Sequence, residues 1–489
     1  MKKNNLFFLL VISLGLVFTS CEKDDEVLAN NLNSNEKDER SEVGDIEVEQ
    51  FVYKGMNDIY LYKANMPSLD NDYFADDYDR DVFLSEFGSP EILFEELTYD
   101  QDRFSFITDD YNKLEKSFKG LNSSTAGMGF GLGAITGTNN VFGFLQYIIP
   151  GTSADEAGLE RGTVFTEVNG VKMTVDNYSD LLNEGSLTIN TGSIRDGNIV
   201  MTEETVSLTS GEYTENPVHT AKTLDIDGKK VGYLMYNSFT ADFDDELNAA
   251  FGDFKANGVS ELVLDLRYNG GGSVESAVDL ASMITGQFEG QVFMTEQWNE
   301  AYQEQLENQN AENLINRFNS RIRTNETINS LNLSRVIVLT TNSTASASEL
   351  VINGLEPYIE VVQIGEKTTG KFQASVTLYD SPNFRKEGAN ENHTYALQPL
   401  VFKSANANGK TDYVNGLTPD ISLSEDLNNL GTIGEKSEPM LQAAINFLTG
   451  KSQATKSMAA KKAEANFHTI GESGMNNPVF QRMYIEELP

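Results

Sequence analysis

"SRVIVLTTNSTASASELVINGLE", residues 334–356, decides how the chain is built. Its apolar, β-branched run from Val336 to Leu339 reads as a strand buried on both faces. Small hydroxyl and alanine residues follow, and then Leu350, Val351, Ile352 and Leu355 fall at helical spacing. A strand that turns into a helix within a few residues is half of an α/β unit. Ser346 and Glu349 stand three apart, which fits a capping box with Ser at the N-cap and Glu at N3. A serine there also sits beside unpaired backbone N–H groups and the positive end of a helix, where an oxyanion is stabilised. The stretch reads both as a helix start and as a seat for a nucleophile.

The same alternation surrounds it. "KVGYLMYNSF" (230–239) is a strand, "DDELNAAFGDFKANG" (244–258) a helix with a glycine stop, and "ELVLDLRYNGGG" (261–272) a buried strand ending in a glycine run. "VESAVDLASMI" (274–284) is a helix, and "EVVQIGEKTTGKF" (360–372) begins as another strand. These segments predict an α/β core over 216–430. Residues 46–120 have a different pattern, with Phe51, Met56, Ile59 and Tyr60 at helix spacing and Pro67 and Pro90 as breaks, and predict a helical N-terminal domain. Residues 121–215 predict short strands with glycine turns. The whole is a multidomain α/β chain of 489 residues.

The charge and the cysteine count exclude some functions. A net charge of −38 repels phosphate backbones, so nucleic acid is not an expected partner. No His/Cys/carboxylate cluster has metal-ligand spacing, and no metal or organic cofactor is expected. The chain opens "MKKNNLFFLLVISLGLVFTSC", two lysines and an apolar run too short for a stable membrane span. Residues 1–20 read as a signal peptide. Cys21 is the only cysteine, so no intrachain disulfide can form. Residues 21–45, beginning with the acidic "EKDDE" (22–26), read as a flexible tether. The segment 431–489 reads as a helical tail, with "KSMAAKKAEANF" (456–467) as one helix. Nothing in the sequence sets the oligomeric state.

An activated serine needs a base. The chain has three histidines, His219, His393 and His468, and none stands at a strand end of the α/β region beside a Ser and an Asp. A Ser-His-Asp triad therefore lacks support. Lysine is the other option, provided burial lowers its pKa from about 10.4 towards neutral. Lys371 follows a strand and a Thr-Thr-Gly turn, separated from Ser346 by one helix and one strand.

"DLRYNGGG" (265–272), "STASASEL" (343–350) and "GEKTTGK" (365–371), taken in that order, resemble the carboxyl-terminal processing peptidases, or tail-specific proteases. The resemblance runs from about Phe51 to Phe447. It implies a Ser-Lys serine endopeptidase with a PDZ domain ahead of a ClpP/crotonase-like core, acting on proteins or peptides. On the family pattern the nucleophile is Ser346 rather than Ser348, and the general base is Lys371. The oxyanion donors are the N–H of Ala347 and that of Gly272, with Gly271 as the next candidate. The family often carries a Gln four residues after the Lys. Here that position is Ser375 and the nearest Gln is Gln373, so either residue takes the orienting role or the role is unfilled. Asp265 and Arg267 read as structural supports of the glycine turn.

Two further resemblances bear on binding and location. "YIIPGTSADEAGLERGTVFTEVNGVKM" (147–173) resembles part of a PDZ domain, with Ser153 and Glu156 as a capping pair. "GMGFGLG" (127–133) lies where such domains bind a peptide by strand addition, which marks Gly127, Gly129 and Phe130 as peptide-binding. The start of the chain resembles a bacterial lipobox followed by the export tag of Bacteroidetes lipoproteins. That implies a lipid on Cys21 and display on the outer membrane, with the periplasmic face as the alternative. The alternative function is a catalytically inactive, peptide-binding surface lipoprotein on the same scaffold.

Overall fold

Three strands that the sequence marks by their apolar runs lie side by side and parallel: Glu261–Asp265, Arg335–Thr340 and Glu360–Gly365. They form the middle of a six-stranded sheet whose outer members are Val218–Ile226, Lys229–Tyr236 and Ile421–Ser422. Val263 pairs with Ile337 across one junction, and Ile337 with Val362 across the next. These three side chains belong to one core cluster with Tyr233, Met440 and Leu441. A strand buried on both faces can afford no polar alternation, which is why the sequence shows continuous Val, Ile and Leu here. The structure is a computed structural model and describes residues 44–451, 467–475 and 477–489. Cys21, the leader 1–20, all but the end of the tether 21–45, and the helix read over 456–467, except Phe467, lie outside the described residues.

Parallel neighbours have a consequence for function. The turns after the three central strands all leave the same, carboxyl end of the sheet, where open α/β sheets gather their ligands. The glycine run follows Glu261–Asp265, the serine stretch follows Arg335–Thr340, and the Thr-Thr-Gly-Lys turn follows Glu360–Gly365. The serine turn is the middle one.

A second six-stranded sheet runs in the order Gly272–Ser273, Met483–Ile485, Gln373–Val376, Leu400–Asn406, Val292–Trp298, Ile315–Arg317. Residues 44–120 are mainly helical, with helices at Glu47–Ile59, Asp77–Ser85, Pro90–Glu96 and Tyr111–Phe118. Phe106–Thr108 joins them to the core by pairing antiparallel with Ala396–Gln398.

The β-rich region is built on Met128–Ile135 and Val141–Ile148. Its glycines have a packing reason. A Cβ on Gly129 would stand 2.3 Å from the Tyr147 ring, and one on Gly131 would stand 2.2 Å from the Phe144 ring. Aromatic side chains of one strand lie across the bare backbone of the other. Asn169 and Gly170 both take positive φ, 54° and 75°, as a two-residue hairpin turn requires. The short helix is Ser153–Glu156, but its N-cap is Thr152 and not Ser153. Ser153 Oγ instead accepts from the Thr209 N–H at 3.0 Å.

The chain after residue 430 departs from a helical tail. Pro439–Leu448 is a helix and packs into the core cluster. Phe467–Glu472 and Met483–Ile485 are strands, and each joins a sheet. A six-residue and a three-residue strand with little alternation give no periodic signal in the sequence; their partners supply the pairing. Among the described residues no helix is long and apolar enough to cross a membrane.

Candidate active site

Ser346 is the N-cap of the helix Ala347–Leu355 and takes φ 65° and ψ −116°. A left-handed φ is uncommon for a residue with a Cβ, and such strain gathers at functional turns. The helix that enforces it is wholly buried, including Leu350, Val351, Ile352 and Leu355. Each such side chain contributes about 1.5–3 kcal/mol by burial. Pro357 follows the helix and ends it. The Ser346 side chain is fully buried, and its Oγ has no hydrogen-bond partner among the described residues.

The carboxylate half of the capping box is made, and that carboxylate does more than cap. Glu349 accepts from the Ser346 N–H at 2.8 Å. It also accepts from the Thr368 hydroxyl at 2.5 Å, the Gly370 N–H at 2.7 Å and the Lys371 N–H at 2.8 Å. One buried carboxylate therefore ties the backbone of Ser346 to the backbone of Lys371. Burial raises its pKa, against the pull of those donors. Sequence reading found the Glu349 cap and missed the tie, because no local pattern marks donors 19 to 22 residues away.

Lys371 is fully buried, and its Nζ likewise has no hydrogen-bond partner among the described residues. The Nζ stands 4.7 Å from the centroid of the Phe104 ring, which comes from the helical region. Its pKa lies well below the ordinary lysine value. Burial is the main cause and the Arg482 cation the second, while Asp102 and Glu349 pull the other way. A lysine in such surroundings can be neutral near neutral pH and accept a proton.

The glycine turn is held against the serine turn. Ala345 N–H and Ser348 Oγ both donate to the Asn269 carbonyl, each at 3.1 Å. Ser348 is thus engaged, whereas Ser346 Oγ is not. Gly271 has φ 112°, and a Cβ there would lie 2.7 Å from Ser346 Cβ and 3.0 Å from the Ala347 nitrogen. Only glycine fits. The Gly271 N–H is already bonded to Asn269 Oδ1 at 2.8 Å. Gly272, φ 137°, lies against the Phe239 carbonyl. Below the turn, Arg267 is fully buried in ion pairs with Asp265, Glu425 and Glu438.

Gln373 and Ser375 differ sharply. Ser375 Oγ donates to the Met483 carbonyl at 3.3 Å. Gln373 donates to the Tyr62 hydroxyl at 2.8 Å, and its Oε1 is buried without a partner among the described residues. The histidines are engaged elsewhere. His393 pairs with Asp380 at 3.1 Å, His219 packs on the Tyr147 ring, and His468 lies in the strand Phe467–Glu472. Gly127, Gly129 and Phe130 stand at the start of the predicted strand edge, which is occupied from Phe130 to Ile135. Phe467–Glu472 pairs antiparallel along it, and Ser473 bonds both the N–H and the carbonyl of Phe130.

Comparison with known proteins gives consistent findings. The model of "Peptidase family S41" matches residues 230–423, and that of "Peptidase S41 N-terminal domain" matches 47–106. A crystal structure assigned to the S41 proteases, from Bacteroides fragilis, superposes with a TM-score of 0.66 at 29% identity, covering 82% of this chain and 97% of that one. A carboxyl-terminal-processing protease of Picosynechococcus is 24% identical over 71% of this chain and 78% of its own length. The "Probable CtpA-like serine protease" of Staphylococcus aureus is 24% identical over 54% of this chain, which spans about half of that protein (49%).

Proposed function

The chain belongs to peptidase family S41 and is a serine peptidase, and on that premise we propose that it is an endopeptidase working through Ser346 and Lys371. Neutral Lys371 takes the proton of Ser346 Oγ. The alkoxide attacks a peptide carbonyl, and the N–H groups of Ala347 and Gly272 hold the oxyanion. Lys371 then protonates the leaving amine, and water repeats the cycle on the acyl-enzyme. Gln373, with its unengaged Oε1, orients the lysine; Ser375 does not.

The observation that carries this reading is the Glu349 carboxylate, bonded to the N–H of both Ser346 and Lys371. Ser346→Ala and Lys371→Ala should each remove cleavage of an unstructured protein by 10²-fold or more. Persistent cleavage by either variant contradicts the dyad. A second reading, a peptide-binding protein without turnover, is favoured by one fact: among the described residues Oγ and Nζ each lack a partner, so they are not bonded to one another. The same assay on the parent protein separates the two readings.

Substrates bind as extended chains, by strand addition in the PDZ-like region and then in the cleft beside Ser346. The protein is a lipoprotein anchored through Cys21 and displayed on the outer membrane. Cys21→Ala should move it out of the salt-washed membrane fraction. Retention there contradicts the anchor.

A further inference from the structure

The order of the second sheet shows a gap one strand wide. Gly272–Ser273, beside the serine, and Gln373–Val376, beyond the lysine, do not pair with each other. Met483–Ile485 lies between them, parallel to both, with Gly272 opposite Met483 and Tyr484 opposite both Ser273 and Ser375. Upstream, the same segment of chain pairs along Met128–Ile135, from Phe467 opposite Ile135 to Glu472 opposite Gly131. Both places expected to take an extended peptide are thus filled by one segment.

Between the two strands, Gln481 and Arg482 lie against the glycine turn beside the serine. Positions 270 and 271 show how close they come. A Cβ on Gly270 would stand 3.0 Å from the Gln481 nitrogen. A Cβ on Gly271 would meet the Arg482 carbonyl oxygen at 2.5 Å and Ser346 Cβ at 2.7 Å. The cavity left there, about 140 Å³, is bounded by Gly270, Gly271 and Ser343 on one side and by Glu472, Asn477 and Phe480 on the other.

The segment carries charges that a permanent wall would not favour. Arg482 is partly buried and has no ion pair among the described residues; its donor reaches the Pro478 carbonyl at 3.1 Å. Glu472 accepts from the Ser343 hydroxyl at 2.8 Å and also has no cation partner among the described residues. Desolvating charges without pairing them weakens docking. We propose that residues 467–485 are an intramolecular peptide ligand, seated on the Met128–Ile135 edge and in the slot beside Ser346, and that protein substrates compete with it. This rests on the peptidase reading above and adds the regulation of that site. An attached ligand acts at an effective concentration on the order of mM, so it competes strongly even with modest intrinsic affinity.

The test keeps the full chain and releases the segment after folding. A recognition sequence for a site-specific protease is inserted between Ala459 and Ala460, the protein is nicked, and the released piece is removed by size exclusion. In a Ser346→Ala background, a fluorescent peptide of residues 467–489 should bind the nicked, stripped protein about 10-fold or more tighter than the intact chain. In the active form, nicking and stripping should lower KM for an unstructured protein about 10-fold with kcat within about twofold, and added peptide should restore KM. A stripped protein that stays folded, keeps its KM and ignores the peptide overturns the proposal. If stripping unfolds the protein, the intact chain with Thr469→Pro, which removes one N–H from the upstream strand, gives the second reading. Its KM should fall severalfold, and an unchanged KM overturns the proposal. Peptide exchange in the stripped Ser346→Ala protein, with no turnover by the active form, would instead spare the proposal and sink the peptidase reading.

Discussion

Glu349 and Arg482 are both charged, both withdrawn from water, and both close to Ser346 and Lys371, yet they are treated differently. Glu349 has four donors from two turns and is fully buried. Arg482 has a backbone carbonyl and the face of the Phe106 ring, 4.9 Å from its centroid; Asp102 attracts it, but among the described residues no carboxylate is within ion-pair distance. Burial pulls its pKa down to about 10. A charge whose partners are all in place marks a permanent joint. A charge left short of partners marks a contact that can be exchanged. The serine and lysine turns are of the first kind, and residues 467–485 are of the second.

The largest expected effect comes from breaking the joint. Glu349→Gln keeps the shape but leaves one acceptor oxygen for two pairs of donors, Ser346 and Lys371 on Oε2 and Thr368 and Gly370 on Oε1, so at least one backbone N–H of the joint faces an NH2 and the serine and lysine turns shift. A displacement on the order of 1 Å costs about 10²-fold. The loss should fall on kcat with KM little changed, and the thermal midpoint should drop far less than the activity. A fall in KM and kcat together with global unfolding would reduce Glu349 to a structural part.

A smaller effect tests the lysine's neighbours. Gln373→Ala should lower kcat about 10-fold, as loss of orientation does. Ser375→Ala should stay within about twofold, since its hydroxyl serves the Met483 carbonyl. The reverse ranking would give the orienting role to Ser375.

The smallest effect probes the exchangeable side. Arg482→Met removes a poorly paired cation, so the docked segment is held more tightly and KM for protein substrates should rise about fivefold. The same change removes a positive charge that depresses the Lys371 pKa. That pKa should rise, and the activity limb should move to higher pH. A lower KM, or a limb that moves to lower pH, contradicts the assignment of Arg482 to the docked segment.

The sequence carried the α/β core and the serine and lysine turns well, because each rests on a local signal. Val336 to Leu339 shows a buried strand, Ser346 and Glu349 show a cap, and a glycine run shows a turn that a side chain would block. The three turns meet because their strands are parallel neighbours, which the βαβ alternation already implies. What stayed hidden depends on distant partners. The glycines at 129 and 131 also make room for Tyr147 and Phe144 on the neighbouring strand, which the sequence does not show. Phe104 and Tyr62 reach Lys371 and Gln373 from the helical region without any motif of their own. The strands Phe467–Glu472 and Met483–Ile485 owe their conformation to the edges they pair with, so a reading of residues 431–489 by themselves suggests only a helical tail.

The claim at the centre of this account is that a neutral, buried Lys371 is the base for Ser346. The direct measurement is the pH dependence of kcat/KM for the parent protein beside Lys371→Arg. The lysine's pKa is depressed, so its proton-accepting form is scarce below that value and dominant above it. Activity of the parent should rise with pH and level off well below the free-lysine value of about 10.4. Lys371→Arg keeps a cation that does not give up its proton, and should be reduced on the order of 10²- to 10⁴-fold at every pH. An arginine variant that retains most of the activity, or a parent whose activity does not rise with pH, would contradict the mechanism.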